Sequence, residues 1–340
     1  MAALLFGAST PLIQRVAAGV GPFTTAALLY GGAALVGWSM RQPPSRESRL
    51  RRTDLPRLIL VAVFGAVLGP VALVWGLQRT SGTSASLLLT LEAVFTVIFA
   101  RLLYREEMSR RIVAAVALLT AGGVFLVLDR LEVIGSASKS ETVVVSVLGL
   151  AAVAMATLAW GIDNTLSRPL AERDPGRVVA GKSALGVLCT TALAAIANEP
   201  VPALTAAALL TLIGASGYGL SLRFYLLAQR SFGAARTGSV FAFAPFIGAA
   251  LAFAMGERTV GLLFLPAAGL MLAGVVLHLT ETHAHEHTHE AIEHEHAHSH
   301  DDRHHTHVHD PMPAGSHTHL HRHESITHTH PHVPDAHHRH

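Results

Sequence analysis

"QRTSGTSASLLLTLEAVFTVIFARLLYREE" at residues 78–107 and "QRSFGAARTGSVFAFAPFIGAALAFAMGER" at residues 229–258 superimpose at an offset of 151. Gln78–Arg79 meets Gln229–Arg230, Gly82 meets Gly233, Phe95 meets Phe246 and Glu106 meets Glu257. Near the start of each half, "FGAST" at 6–10 matches "WGIDN" at 160–164, so Ser9 and Thr10 correspond to Asp163 and Asn164. The chain carries an internal duplication.

Outward from these copies, apolar stretches recur at about 2–18, 22–40, 57–77, 82–103, 112–129, 143–163, 178–197, 204–227, 235–255 and 259–280. About 20 such residues cross the ~30 Å hydrocarbon core as a helix. The separators hold turn and charge signals, such as "RQPPSRESRLRRTD", "DRLEVIGSASKSE", "AERDPGR" and "NEPVP". Ten spans make five per copy, and an odd number inverts the second copy in the membrane, the plan of transporters that rock about a site between repeats. The expected fold is therefore an all-α polytopic membrane protein of ten transmembrane helices in two inverted five-helix repeats. The first span reaches Gln14 and Arg15 early, so a short or incomplete first helix is expected.

Composition agrees with a membrane body: of 340 residues, 51% are hydrophobic and 14% charged, against about a quarter charged in soluble domains. Lys and Arg enrich cytoplasmic loops. Loops 41–57, 101–111, 168–177 and 228–236 carry 15 of them, and the alternate loops with the segment after the first span carry 5. That asymmetry predicts both termini in the cytoplasm of a cell whose inner (plasma) membrane the chain spans repeatedly. The basic residues sit in short loops with no aromatic-interleaved patch, which argues against a nucleic-acid partner. The partners expected are the lipid bilayer and a small-molecule or metal substrate, with a homodimer left open. Phosphate loops, Walker motifs and nucleophile elbows are absent, so no enzyme activity is expected. The single Cys189 falls in an apolar run and reads as packing.

"LEAVFTVIFARLLYREEMS" at 91–109 with "AGGVFLVL" at 121–128, and "GAARTGSVFAFAPFIGAALAFAMGE" at 233–257, resemble the signature of the EamA branch of the drug/metabolite transporter superfamily. The resemblance covers about residues 1–280, with the first repeat at 1–129 and the second at 143–280. It implies two inverted repeats and transport driven by proton or substrate gradients without ATP hydrolysis. It does not name a substrate, since relatives carry amino acids, sugars, drugs and metabolites. Many relatives have an arginine in the second helix, where this sequence reads "AALLYGG" with Tyr30.

Ionisable groups at membrane depth are costly and usually face a cavity or a partner. Glu92 lies about ten residues into the fourth span, roughly 15 Å along the axis at 1.5 Å per residue, and reads as a proton or cation carrier or as a structural hydrogen bond. Asp163 and Asn164 close the sixth span as cavity wall or helix cap, with Ser9 and Thr10 as their polar mates. Lys182 either pairs with Asp163, binds an anionic substrate or snorkels to the interface, and Arg223 is read as snorkelling. Trp75, Trp160 and Tyr225 either line a path or serve as packing and interface anchors.

Beyond the body, residues 281–340 are a different material. They hold 22 of the 23 histidines and a net charge of −7 with neutral imidazoles, against +9 for the first 280 residues. Imidazole binds Ni, Co, Zn and Cu, and the "HxHxH" spacing puts alternate side chains on one side of an extended backbone. His283, His285, His287, His289, His294, His296, His298, His300, His304, His305, His307, His309, His317, His319, His321 and His323 are the candidate ligands. With no apolar core, the tail is expected to be disordered and to bind divalent metal at many exchanging sites; the body requires no cofactor. The length and interleaved acids set it apart from an expression tag, while a pH sensor remains an alternative role. The functional expectation is a secondary transporter, read as an exporter, of a small solute or divalent metal ion, with a cytosolic tail that binds or senses Ni, Co or Zn. The alternatives are a metabolite or amino-acid exporter with the tail as regulator or store, and a membrane-anchored metal buffer without transport.

Overall fold

The computed structural model describes residues 1–43, 45–104, 108–135, 140–232, 237, 240–257 and 261–280, and in the tail 283–289, 293–298, 317–322 and 326–332. Side chains are described outside 130, 132–135, 140–143, 229–232 and the tail. The body is helical: α1 (Ala2–Val16), α2 (Pro22–Ser39), α3 (Leu55–Ala62), α4 (Gly69–Leu77), α5 (Gly82–Leu88), α6 (Leu91–Tyr104), α7 (Arg110–Gly135), α8 (Ser140–Ser167), α9 (Pro175–Ile196), α10 (Leu204–Gly214), α11 (Ser221–Phe232), α12 (Ala244–Ala254) and α13 (Phe264–Leu279). Local chemistry sets the starts. Pro22 and Pro175 open α2 and α9, where a missing N–H costs nothing. The Asp174 carboxylate accepts from the Gly176 N–H at 2.9 Å, and Ser81 Oγ accepts from the Ser84 N–H at 3.2 Å at the head of α5.

Several spans are interrupted, and the interruptions recur. A π-helical stretch, Val63–Leu68, joins α3 to α4, and a second, Ala215–Leu220, joins α10 to α11. Gly65 inside the first, with Gly69 and Pro70 just after it, and Gly217 and Gly219 inside the second, with Gly214 just before it, loosen the i→i−4 ladder there. Turns at Leu89–Thr90 and at Ala242–Phe243 interrupt the chain before α6 and α12. Thr90 Oγ1 donates to the Leu87 carbonyl at 2.8 Å in competition with the backbone, and Pro245 follows the second turn.

Small residues allow the elements to close on one another. α2 packs against α9, α4 and α6 against α8, α12 against α1 and α5, and α13 against α7. A Cβ on Gly7 would strike the Ala244 carbonyl, and one on Gly161 would strike the Phe95 Cβ, so α1–α12 and α8–α6 both close on a glycine. The core runs along this seam through Leu29, Leu73, Leu88, Leu126, Leu150 and Met271. Large apolar side chains cover the outside instead of polar ones; Leu102 and Leu188 are each 69% exposed. Such a surface suits lipid and not water. Cys189 is exposed on α9, not packed as expected, because the face it occupies is this outer one.

Carboxylates tie the halves together at one end. Glu199 accepts from Phe23 N–H at 3.1 Å and Thr24 N–H at 2.7 Å, capping α2. Glu257 accepts from Thr83 N–H at 3.0 Å in the first turn of α5. Asp129 accepts from Gly261 N–H at 3.0 Å and Leu263 N–H at 2.9 Å just before α13. At the other end Arg173 Nε bridges Asp54 at 2.9 Å, and Asp174 accepts from Gln42 N–H at 3.0 Å.

Among the described residues, six spans are long and apolar enough to cross a membrane: Arg52–Leu77, Gly82–Tyr104, Arg110–Asp129, Val144–Glu172, Pro175–Ile196 and Leu204–Ala228. Ten were expected from the apolar runs. α12 and α13, with 11 and 16 residues, are shorter apolar helices, and α1 has 15. At 1.5 Å per residue a 15-residue helix rises about 22 Å, less than the ~30 Å core. The turn at Ala242–Phe243 shortens α12, and residues 233–236, 238–239 and 258–260 beside it lie outside the described residues.

In the tail, short stretches pair as strands. β1 (His283–His289) pairs antiparallel with β4 (Ile326–His332), and β2 (Glu293–His298) with β3 (His317–Arg322). Both ladders set histidine opposite histidine, as at His285↔His330 and His296↔His319. Period-two alternation is itself a strand pattern, and ladder bonds need only backbone.

Candidate functional site: a polar cavity between the halves

Glu92 is the second residue of α6, immediately after the turn at Leu89–Thr90. The turn directs the first residues of α6 toward the end of α8, where Asn164 Nδ2 donates to Glu92 Oε1 at 2.6 Å. One residue earlier on α8, Asp163 accepts from Lys182 Nζ of α9 and from Ser167 Oγ at 3.2 Å. Asp163 and Lys182 are buried at 5% and 3% exposure, whereas Glu92 and Asn164 are half-buried and line open space. Gly65 makes room for the pair, because a Cβ there would fall on Asp163 Oδ2 and Lys182 Nζ. The Gly65 carbonyl, inside the first π stretch, accepts from the Tyr30 hydroxyl and from Trp160 Nε1 at 3.1 Å.

These groups wall a cavity of about 60 Å³. One water needs roughly 10–15 Å³ on that measure, so the space holds a few waters or one small solute. Aromatic rings form the rest of the wall. Phe6 meets Trp160 edge-on at 5.7 Å and Tyr218 at 5.8 Å; Tyr30 meets Tyr218 at 5.4 Å; Tyr225 meets Phe241 at 5.0 Å. Tyr218 lies in the second π stretch, and its buried hydroxyl has no hydrogen-bond partner among the described residues.

The structure thus brings together four of the six residues singled out on the body: Glu92, Asp163, Asn164 and Lys182. Ser9 and Thr10 are buried, Ser9 Oγ donating to the Phe6 carbonyl at 2.6 Å, but neither lines the cavity. Lys182 pairs with Asp163 and does not snorkel. Arg223 is off the cavity wall, with a buried Nε that finds no partner among the described residues. Trp160 and Tyr225 line the space, while Trp75 stacks under the Arg79 guanidinium at 3.7 Å. Sequence reading missed Phe6, Tyr218 and Phe241. The Phe6–Trp160 match within "FGAST" and "WGIDN" was the available signal for the first; the glycines around Tyr218 were the signal for the second.

Asp163 is matched by Lys182, and Glu92 meets a neutral amide. Among the described residues the wall therefore carries two carboxylates and one ammonium, and the ammonium is bonded to Asp163 while Glu92 is bonded to the Asn164 amide. Such a carboxylate, facing a small cavity, can take up a proton or a positively charged solute. No cluster of three or more His, Cys, Asp or Glu suited to a metal occurs among the described residues. Of the candidate tail ligands, His300, His304, His305, His307, His309 and His323 lie outside the described residues, and side chains of the others are not described.

Residues 1–128 match the EamA-like transporter family. An uncharacterized transporter of Methanothermobacter thermautotrophicus (strain Delta H) is 27% identical over 296 residues, which cover 81% of this chain and 83% of that protein. A protein of known crystal structure, 20% identical, superimposes with a TM-score of 0.57 over 82% of this chain and 94% of its own, a likeness of fold. With an EamA-like match over residues 1–128 and a transporter similar along four fifths of its length, this multi-pass membrane chain resembles the EamA-type transporters.

Proposed function

We propose that the chain is a secondary transporter of a small solute, built as two inverted five-helix repeats in the inner (plasma) membrane, with Glu92 as the group that exchanges solute for proton. The observation that carries this reading is the Glu92 carboxylate itself: half-buried, set at a helix break, bonded to Asn164 and open to a cavity between the halves. The paired π stretches at 63–68 and 215–220 support the repeat, since discontinuous helices at matching positions are how such transporters frame a site. Asp163, Lys182 and Tyr225 lie within about a dozen residues of the Arg-bearing loops 168–177 and 228–236. By the positive-inside rule the cavity then sits toward the cytoplasm, which favours loading from inside and export. The tail hangs at the same face and collects Ni, Co or Zn through its alternating imidazoles; the donors of the cavity do not suit a divalent ion.

Purified protein in vesicles with a proton gradient tests this. Solute flux should dissipate the gradient, and Glu92→Gln should reduce it to the leak of empty vesicles. A Glu92→Gln variant that moves solute and protons like the parent would refute the assignment.

A further inference from the structure

We infer that the cavity binds a small monovalent organic cation, a compact amine or quaternary ammonium, with its charge held by Glu92 and its body against the rings of Phe6, Tyr218 and Phe241. This deepens the transport reading and rests on it for the cavity's role. Three observations carry it. The first is charge: with Lys182 engaged by Asp163, an ionised Glu92 leaves the described wall one negative charge in excess. The second is lining. Phe6 lies 5.8 Å from Tyr218 and 5.3 Å from Phe241, and Tyr225 closes on Phe241 at 5.0 Å. Ring faces attract cations through their quadrupole within about 6 Å, and clustered rings recognise alkylammonium groups in this way. The third is size, since a cavity of about 60 Å³ suits a compact solute.

The other ligand classes fit less well. An anion would have to compete with Asp163 for Lys182 while lying near Glu92. A divalent metal would find one available carboxylate among aromatic rings. A neutral solute would leave the Glu92 charge unmatched in a space mostly lined with carbon.

Quenching of tryptophan fluorescence, with Trp160 on the wall, reads binding to the full chain in detergent. Tetramethylammonium, tert-butanol and pivalate provide one compact shape with positive, zero and negative charge. The expected result is saturable quenching by tetramethylammonium alone, about tenfold weaker in Phe241→Leu, which removes a ring without touching charge, and lost in Glu92→Gln. Size-exclusion profiles and melting temperatures matching the parent establish that the variants are folded. Equal binding of all three probes, tighter binding of pivalate, or unchanged tetramethylammonium affinity in Glu92→Gln would overturn the inference. Vesicle flux separates it from the transport reading. Glu92-dependent binding without cation-coupled proton flux removes transport and keeps the cation site; Glu92-dependent flux of a neutral or anionic solute without tetramethylammonium binding does the reverse.

Discussion

Lys182→Met would leave the Asp163 carboxylate buried with Ser167 Oγ as its remaining side-chain donor. Removing one partner of a buried ion pair costs about 3–5 kcal/mol, so the variant should melt well below the parent in detergent. Adding Asp163→Asn should restore most of the loss, because a neutral amide needs no counter-charge; a double variant as unstable as the single one would mean that Lys182 acts through something other than this pair. Gly65→Ala should disrupt the same pair sterically, and its flux should fall far more than that of Gly31→Ala, whose new methyl meets open space. At this scale the sequence was informative about chemistry and poor about partners. Charged residues inside apolar runs declared themselves, but Lys182 could equally have reached the interface until α8 and α9 were seen side by side. Ser9 and Thr10 show the converse. They align with Asp163 and Asn164 in sequence, yet on α1 they are buried as packing and do not line the cavity, since an aligned position does not fix what its side chain meets.

The helices depend on caps that come from far along the chain. Asp129 caps the start of α13 and Glu199 that of α2, across separations of more than 130 residues. Loss of a capping side chain costs about 0.5–2 kcal/mol, so Asp129→Ala should lower the melting temperature modestly and accelerate amide exchange around Gly261–Phe264 while leaving α2 unchanged. Glu199→Ala should show the mirror pattern at Phe23 and Thr24. Exchange that rises everywhere in both variants would indicate that these contacts hold the halves together and not single helix ends. Prolines and glycines announced many of the boundaries in sequence. The π stretches did not appear there, because a run such as "VFGAVL" has no periodicity that distinguishes one extra residue per turn from an ordinary helix, and only the side chains packed on Gly65 reveal what the bulge is for.

For the molecule as a whole, the expected topology places Ser45 inside the cell and Asn198 outside. On a Cys189→Ser background, Asn198→Cys should react with an impermeant maleimide applied to intact cells and Ser45→Cys should not; the opposite labelling would invert the proposed direction. Truncation after Thr280 should abolish retention on immobilised nickel and leave solute flux as in the full chain, whereas loss of flux would make the tail part of the transport cycle. The sequence alone determined the membrane-spanning character and the contrast between greasy body and histidine-rich tail, because apolar run length and composition are one-dimensional properties. Only the tertiary structure decided that Glu92, Asn164, Asp163 and Lys182 share one cavity, that aromatic rings complete it and that several spans break where they face it. Those facts depend on which helices become neighbours, and burial and close glycine contacts settle that between residues far apart in the chain.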